Sequence, residues 1–256
     1  MKNVLMILSA AGILLAVFAG AGPQAPVASQ SDRAANFLIS DTDLYCSFFI
    51  LDTEPALKIA GGEDGRTLLA DGDRIALTGR GLAGLQAGQV MAVLEIGPKI
   101  DGLGRKPSPG RLAIQRGRVR ILSVEGVAGT ARIEKTCGSL MPGCVLVPFV
   151  EKAKFQVKES GFTALTRNGD KPSGRVLFLE DNAVQAATDQ RVLIDLGRDD
   201  GLDVGRQLTV FFQAGADQPF ESSANAVVID AGRTSATVKI LTAKTPVHVG
   251  DLVQMK

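Results

Sequence analysis

Three kinds of residue in this 256-residue chain could do chemistry: cysteines, a glycine-rich loop and clustered charges. Cys46, Cys137 and Cys144 could supply one disulfide and one thiol, and spacing alone selects none of the three pairings. Cys137 and Cys144 lack the C-x2-C spacing of structural zinc sites, and the single histidine, His248, stands far along the chain. Gly79-Arg80-Gly81-Leu82-Ala83-Gly84 fits G-x-G-x-x-G. A dinucleotide site needs a helix N-terminus directly after that loop, to turn backbone N–H groups on the pyrophosphate. Here GLQAGQVMAVLEI follows, which reads as a turn and then a strand. His248 has no nucleophile in a local signature such as G-x-S-x-G. The acidic groups Asp41/Asp43, Asp71/Asp73 and Asp199/Asp200/Asp203 miss the D-x-[DN]-x-[DN]-G calcium loop and read as turn residues. The expectation is no catalytic residues, no metal and no cofactor.

The basic residues offer binding rather than catalysis. Pro98 to Gln115 holds Lys99, Arg105, Lys106 and Arg111 among three prolines. Arg116, Arg118 and Arg120 then alternate, so on a strand they share one face. The ordinary reading is a solvated loop and a wet strand face. The functional reading is a contact surface for an acidic partner (anionic glycan, lipid headgroup or protein) built from Arg105, Lys106, Arg111, Arg116, Arg118 and Arg120. Beyond Ala21 the chain has 27 basic residues (28 less Lys2) and 27 acidic ones. That balance argues against nucleic acid, whose binding needs a concentrated positive field.

The elements that must carry these residues are written twice. Arg74 to Gly97 lines up without gaps on the stretch from Arg191, and Val119 to Phe149 on Ala226 to Lys256. Short runs rich in Val, Ile and Thr alternate with period two: Val192, Ile194 and Leu196; Leu208, Val210 and Phe212; Val227 and Ile229; Val238 and Ile240. Glycines break the runs about every ten residues. This predicts an all-β protein of two tandem small Gly-punctuated β-barrel-like domains, with at most one helical turn, at Ala183 to Ala187. Gly84/Gly88 and Gly201/Gly205 mark matching tight turns, with Leu85 and Leu202 as expected plugs at the barrel ends. The offset between copies falls from 117 to 107, so the first copy carries ten extra residues within Pro98 to Gln115.

At the N-terminus, Lys2, an apolar run from Val4 to Phe18 and the small residues Ala19-Gly20-Ala21 have the layout of a secretory signal peptide. The expected organisation is signal peptide 1–21, leader 22–36, first β domain 37–150, linker 151–174 open to proteolysis, and second β domain 175–256. No membrane span is expected after cleavage.

The second copy resembles a periplasmic β-domain found C-terminally in LysM peptidoglycan-binding proteins and, in similar form, in the flagellar T-ring protein. The likeness rests on Ile194 to Gly197, the turn Gly201/Gly205, Ser235 to Val238 and Gly250-Asp251. In the first copy it rests on Tyr45 to Ile50 and the TCGSLMPGCVLVPF ending, where Cys144 replaces Asp251. The resemblance implies an exported, non-catalytic envelope domain, and favours Cys46–Cys137 as the disulfide, with Cys137–Cys144 as the alternative. No LysM module is visible, so peptidoglycan binding does not carry over. The expected function is a structural or protein-interaction module of the envelope, in a secretion, pilus or flagellar assembly, with envelope proteins or a second copy as partners and no nucleotide. The alternatives are a peptidoglycan- or glycan-binding protein and, last, a cell-wall hydrolase. The lack of Trp and the single Tyr45 weigh against a sugar-stacking groove.

Overall fold

Alternating aliphatic residues, interrupted by glycine turns, fold into strands that close on themselves twice. The computed structural model describes residues 35–100, 110–166, 171–215 and 217–256. The expected signal peptide, Arg105 and Lys106 lie outside them. A strand β1 (Asn36–Ile39) and a short helix α1 (Asp41–Tyr45) come first. The first copy follows with β2 (Phe48–Leu51), β3 (Leu57–Gly62), β4 (Arg74–Gly79), β5 (Val90–Lys99), β6 (Arg111–Glu125), β7 (Ala128–Thr136) and β8 (Val145–Pro148). Then come β9 (Phe155–Lys158) and the second copy: β10 (Ser173–Leu179), β11 (Arg191–Ile194), β12 (Gln207–Phe212), β13 (Glu221–Ala231), β14 (Ala236–Ala243) and β15 (Leu252–Met255).

The second copy closes in the order β10-β11-β14-β13-β12-β15. The first runs β3-β4-β7-β6-β5-β8, closed by β6–β7, with β2 added outside β6. The two circles are the same, and so is the register. Arg74 faces Arg132 as Arg191 faces Lys239, and Met91 faces Pro148 as Leu208 faces Met255. Even the isolated bridge Leu69–Leu140 recurs as Ala186–Val247. The sequence offsets hold across every one of these pairs, so the repeat is structural: two six-stranded closed barrels in tandem.

Each barrel is filled, as close packing requires. Ile59, Ile75, Leu77, Val93, Val119, Ile121, Ile133 and Leu146 fill the first. Val176, Val192, Ile194, Leu208, Val210, Val228, Val238 and Ile240 fill the second. Val227 and Ile229, whose alternation marks a strand, point outward instead (below). The turn glycines Gly88 and Gly205 share φ = 87°, a conformation open to glycine at little steric cost. The plugs differ between copies. Leu202 is buried, whereas Leu85 is only half-buried and Leu82, three residues earlier, fills the place expected of it. The G-x-G-x-x-G loop makes a 3-10 turn at Leu82–Gly84 and then enters β5. Ala183 to Ala187 makes no helical turn: it is irregular, with an isolated bridge at Ala186, and a 3-10 turn precedes it at Glu180–Asn182. The helix α1 was not anticipated. Ser40 caps it, its hydroxyl accepting from Asp43 N while the Asp43 carboxylate accepts from Ser40 N, a capping box.

The chain crosses between barrels. Ile39 of β1 and Leu44 of α1 pack on Val227, Ile229 and Leu241, the outer wall of the second. There β1 pairs with β9, whose Val157 joins the same cluster. Of the residues assigned to a linker, 151–166 therefore run along the second barrel, and Ala34–Lys256 forms one contact unit.

Candidate functional site

Strand β6 carries the basic residues, and a bulge divides it. Val93 faces Gly117 and Leu94 faces Gln115, which leaves Arg116 as the extra residue. Before the bulge, β6 lies between β2 and β5. Leu112, with half-buried Ile114 beside it, packs with Phe48 against Leu177, Phe178 and Leu193 of the second barrel. The rings of Phe48 and Phe178 meet edge to face at 5.2 Å. The ten-residue insertion thus contributes, in its described part, to the joint between barrels. Gly110 opens that strand because a Cβ there would stand 2.6 Å from Leu51 O. Arg111 lies at this end, its Nε donating to Gly97 O at 2.9 Å and its Nη1 3.8 Å from Glu54. It does not join the other arginines.

Beyond the bulge, Val119 and Ile121 point inward, and Arg118 and Arg120 outward. Arg116 donates to Glu95 at 2.7 Å. Arg120 donates to Glu134 at 2.6 Å and to Gly88 O at 2.9 Å. Arg118 shares Glu134, at 3.3 Å, and lies over the Phe149 ring, 5.5 Å from its centroid. Its Nε is buried without hydrogen-bond geometry to any described residue. Lys135 stands opposite Arg118 across β6–β7 and reaches Asp71 at 3.4 Å. Gly117 permits this approach, since a Cβ there would meet Lys135 O at 2.2 Å.

Beside Arg118 and Lys135 opens a cleft of about 380 Å³, walled by Asp41, Thr42, Tyr45, Gln115, Gly117, Thr136 and the disulfide. Lys135, Tyr45 and Phe149 had not been picked out as site residues. The register would have found Lys135, because the repeat aligns Arg118 with Asn225 and Lys135 with Thr242, a directly paired couple.

Cys46 and Cys137 form the disulfide, their Cα atoms 5.5 Å apart, and Cys144 is free and buried in the first core. Burial pushes the Cys144 thiol above its ordinary range. The bond ties the C-terminus of α1, which docks on the second barrel, to the end of β7 in the first. Ionic groups, Asp43 and Lys239 buried and most others half-buried, surround the same joint. Lys239 Nζ lies 3.0 Å from Asp43 and 3.3 Å from Asp189. Burial raises the Asp43 carboxyl, but the Ser40 hydroxyl and N–H, with Lys239, outweigh it and hold it below the usual carboxylate range. Lys152 Nζ donates to Asp230 at 2.8 Å and to Leu44 O at 3.1 Å, while the Tyr45 hydroxyl accepts from Lys152 N at 2.7 Å. Arg191 pairs with Glu180 and donates to Thr42 O at 2.8 Å, and burial pulls its guanidinium below its ordinary value.

The remaining candidates resolve into turns. Asp73 caps Ala70 N, Asp71 accepts from Thr136 N, Asp200 from Gly197 N, and Asp251 from His248 N. No group of His, Cys, Asp and Glu suited to a metal occurs among the described residues. No helix among them is long and apolar enough to cross a membrane. No protein-family model and no curated protein matches the chain.

Proposed function

We propose that this protein is a non-catalytic module of the cell envelope that holds or joins other envelope proteins, in an assembly such as a secretion, pilus or flagellar machine. The observation that carries the reading is where the buried polar chemistry lies. Buried Asp43 and Lys239, with half-buried Arg191, are engaged in joining one barrel to the other, buried Asp195 accepts from Arg175 N within the second, and the barrel interiors hold aliphatic side chains. Export is supported by the signal-like N-terminus and by a disulfide, a bond that persists in oxidising compartments. The likeness to the LysM-associated and T-ring β-domain points to the same compartment.

Cross-linking in intact cells followed by purification tests the proposal. The expected result is recovery of defined envelope proteins, and a defect in the corresponding machine when the chain is deleted. Recovery of no envelope partner together with intact machinery would refute it. Peptidoglycan binding is less well supported, because Arg116 and Arg120 already hold carboxylates. Sedimentation with purified sacculi distinguishes the two.

A further inference from the structure

The second barrel demonstrates how this fold takes an extended segment across its outer wall. Gln254, Thr209, Asn225 and Thr242 form one cross-strand row on that wall. Residues 155–166 lie over it as a strap. Thr166 N donates to Gln254 at 2.9 Å, Thr163 and Thr209 share a hydroxyl bond of 2.9 Å, and Gln207 accepts from Ser160 N at 2.9 Å. The Glu159 carboxylate bridges the row's end, accepting from Asn225 at 2.5 Å and Thr242 at 2.9 Å. Phe162 follows, beneath Lys244 Nζ at 3.7 Å.

In the first barrel the same row reads Val147, Ala92, Arg118 and Lys135. The couple that grips Glu159 has become two cations, in the same register beside the same bulge. The position of Lys244 is taken by Cys137, which walls the cleft of about 380 Å³. We infer that this cleft is the docking site for an extended segment of a partner protein, with an Asp or Glu of that segment seated between Arg118 and Lys135 as Glu159 is seated between Asn225 and Thr242. Charge favours it. Arg116, Arg118, Arg120 and Lys135 face three carboxylates, Glu95, Glu134 and Asp71, and Glu134 is shared by two guanidiniums. Asp41 in the cleft wall is held by Lys154 at 2.9 Å. A guanidinium and an ammonium closing on one carboxylate form charge-assisted bonds, stronger than the neutral ones of the second barrel.

The inference rests on the interaction-module reading and supplies its site and partner chemistry. The test uses the full oxidised chain and a labelled 12-residue peptide of the strap sequence Phe155–Thr166 with Lys158→Glu, followed by fluorescence anisotropy at low salt. The expected result is saturable binding that weakens about tenfold when the peptide carries Glu159→Gln, about tenfold with Lys135→Thr in the protein, and further with Arg118→Asn added. Lys135 is 69% exposed, so its replacement leaves the fold intact, and an unchanged thermal midpoint verifies this. Binding indifferent to both substitutions, or none at millimolar peptide, would overturn the site. Pelleting with sacculi that depends on Arg118 and Lys135, without peptide binding, would overturn it in favour of the wall. Envelope cross-links unaltered by both substitutions would also overturn it, while leaving the broader interaction reading in place.

Discussion

The two barrels share one fold and one register but not one outer wall. In the second, Val227, Ile229 and Leu241 lie under β1, α1 and β9, and the polar row from Gln254 to Thr242 lies under the strap. By the repeat, the same positions in the first barrel are Arg120, Leu122 and Glu134, and then Val147, Ala92, Arg118 and Lys135. The second wall is apolar and neutral-polar and is covered by this chain; the first carries Arg118, Arg120, Glu134 and Lys135 beside apolar Leu122, Ala92 and Val147, and borders a cleft. On the proposed reading, the second barrel is scaffold and the first is the one offered to other molecules.

The joint that fixes this arrangement is also where the largest effects are expected. Replacing Cys46 and Cys137 by serine removes a link that closes a 91-residue separation and should cost about 4.6 kcal/mol in the chain-entropy account, measured by denaturant unfolding. Lys239→Met leaves Asp43 buried without its cation and should cost about 3 kcal/mol. Because the folded Asp43 carboxyl lies below its ordinary value, its contribution is complete above about pH 4. It is lost as the pH falls through the lowered value. Asp43→Asn should therefore be less stable than the parent at neutral pH, with the gap narrowing in acid, and a constant gap would count against the pairing. Glu159→Gln should cost about 1 kcal/mol and speed proteolysis of the strap. Arg132→Met, the first-barrel counterpart of Lys239→Met, should change stability by less than about 0.5 kcal/mol. Equal losses at Arg132 and Lys239 would erase the distinction between the walls.

Much of the fold was legible because closure of a small barrel imposes a pattern. Inward positions must be aliphatic, turns need glycine at positive φ, and both signals occur twice at constant offsets. The Cys46–Cys137 pairing came through the family resemblance, since spacing alone left three choices. The covering of the second barrel was hidden for a physical reason. Thr209, Asn225 and Gln254 look like a wet strand face, and only the strap shows that they are buried and satisfied. A signal was present in Ala224 to Ile229. Nearly every residue there is apolar, which fits a strand buried on both faces better than one with a solvated side. The strand β9 is only four residues long, and α1 is a five-residue helix held by a capping box and tertiary packing; both are too short for periodicity to reveal.

Hydrogen exchange of the native chain, followed by peptide mass spectrometry over residues 151–166, bears most directly on whether the strap covers the second barrel's wall. The Glu159, Ser160 and Thr166 amides donate to Ala35 O, Gln207 and Gln254. The account predicts that these amides are protected in the parent and exchange markedly faster in the Glu159→Gln variant, with β13 and β14 unchanged. Exchange at the rate of an unstructured peptide in the parent would contradict it. The covering that distinguishes the second barrel's wall would then be absent.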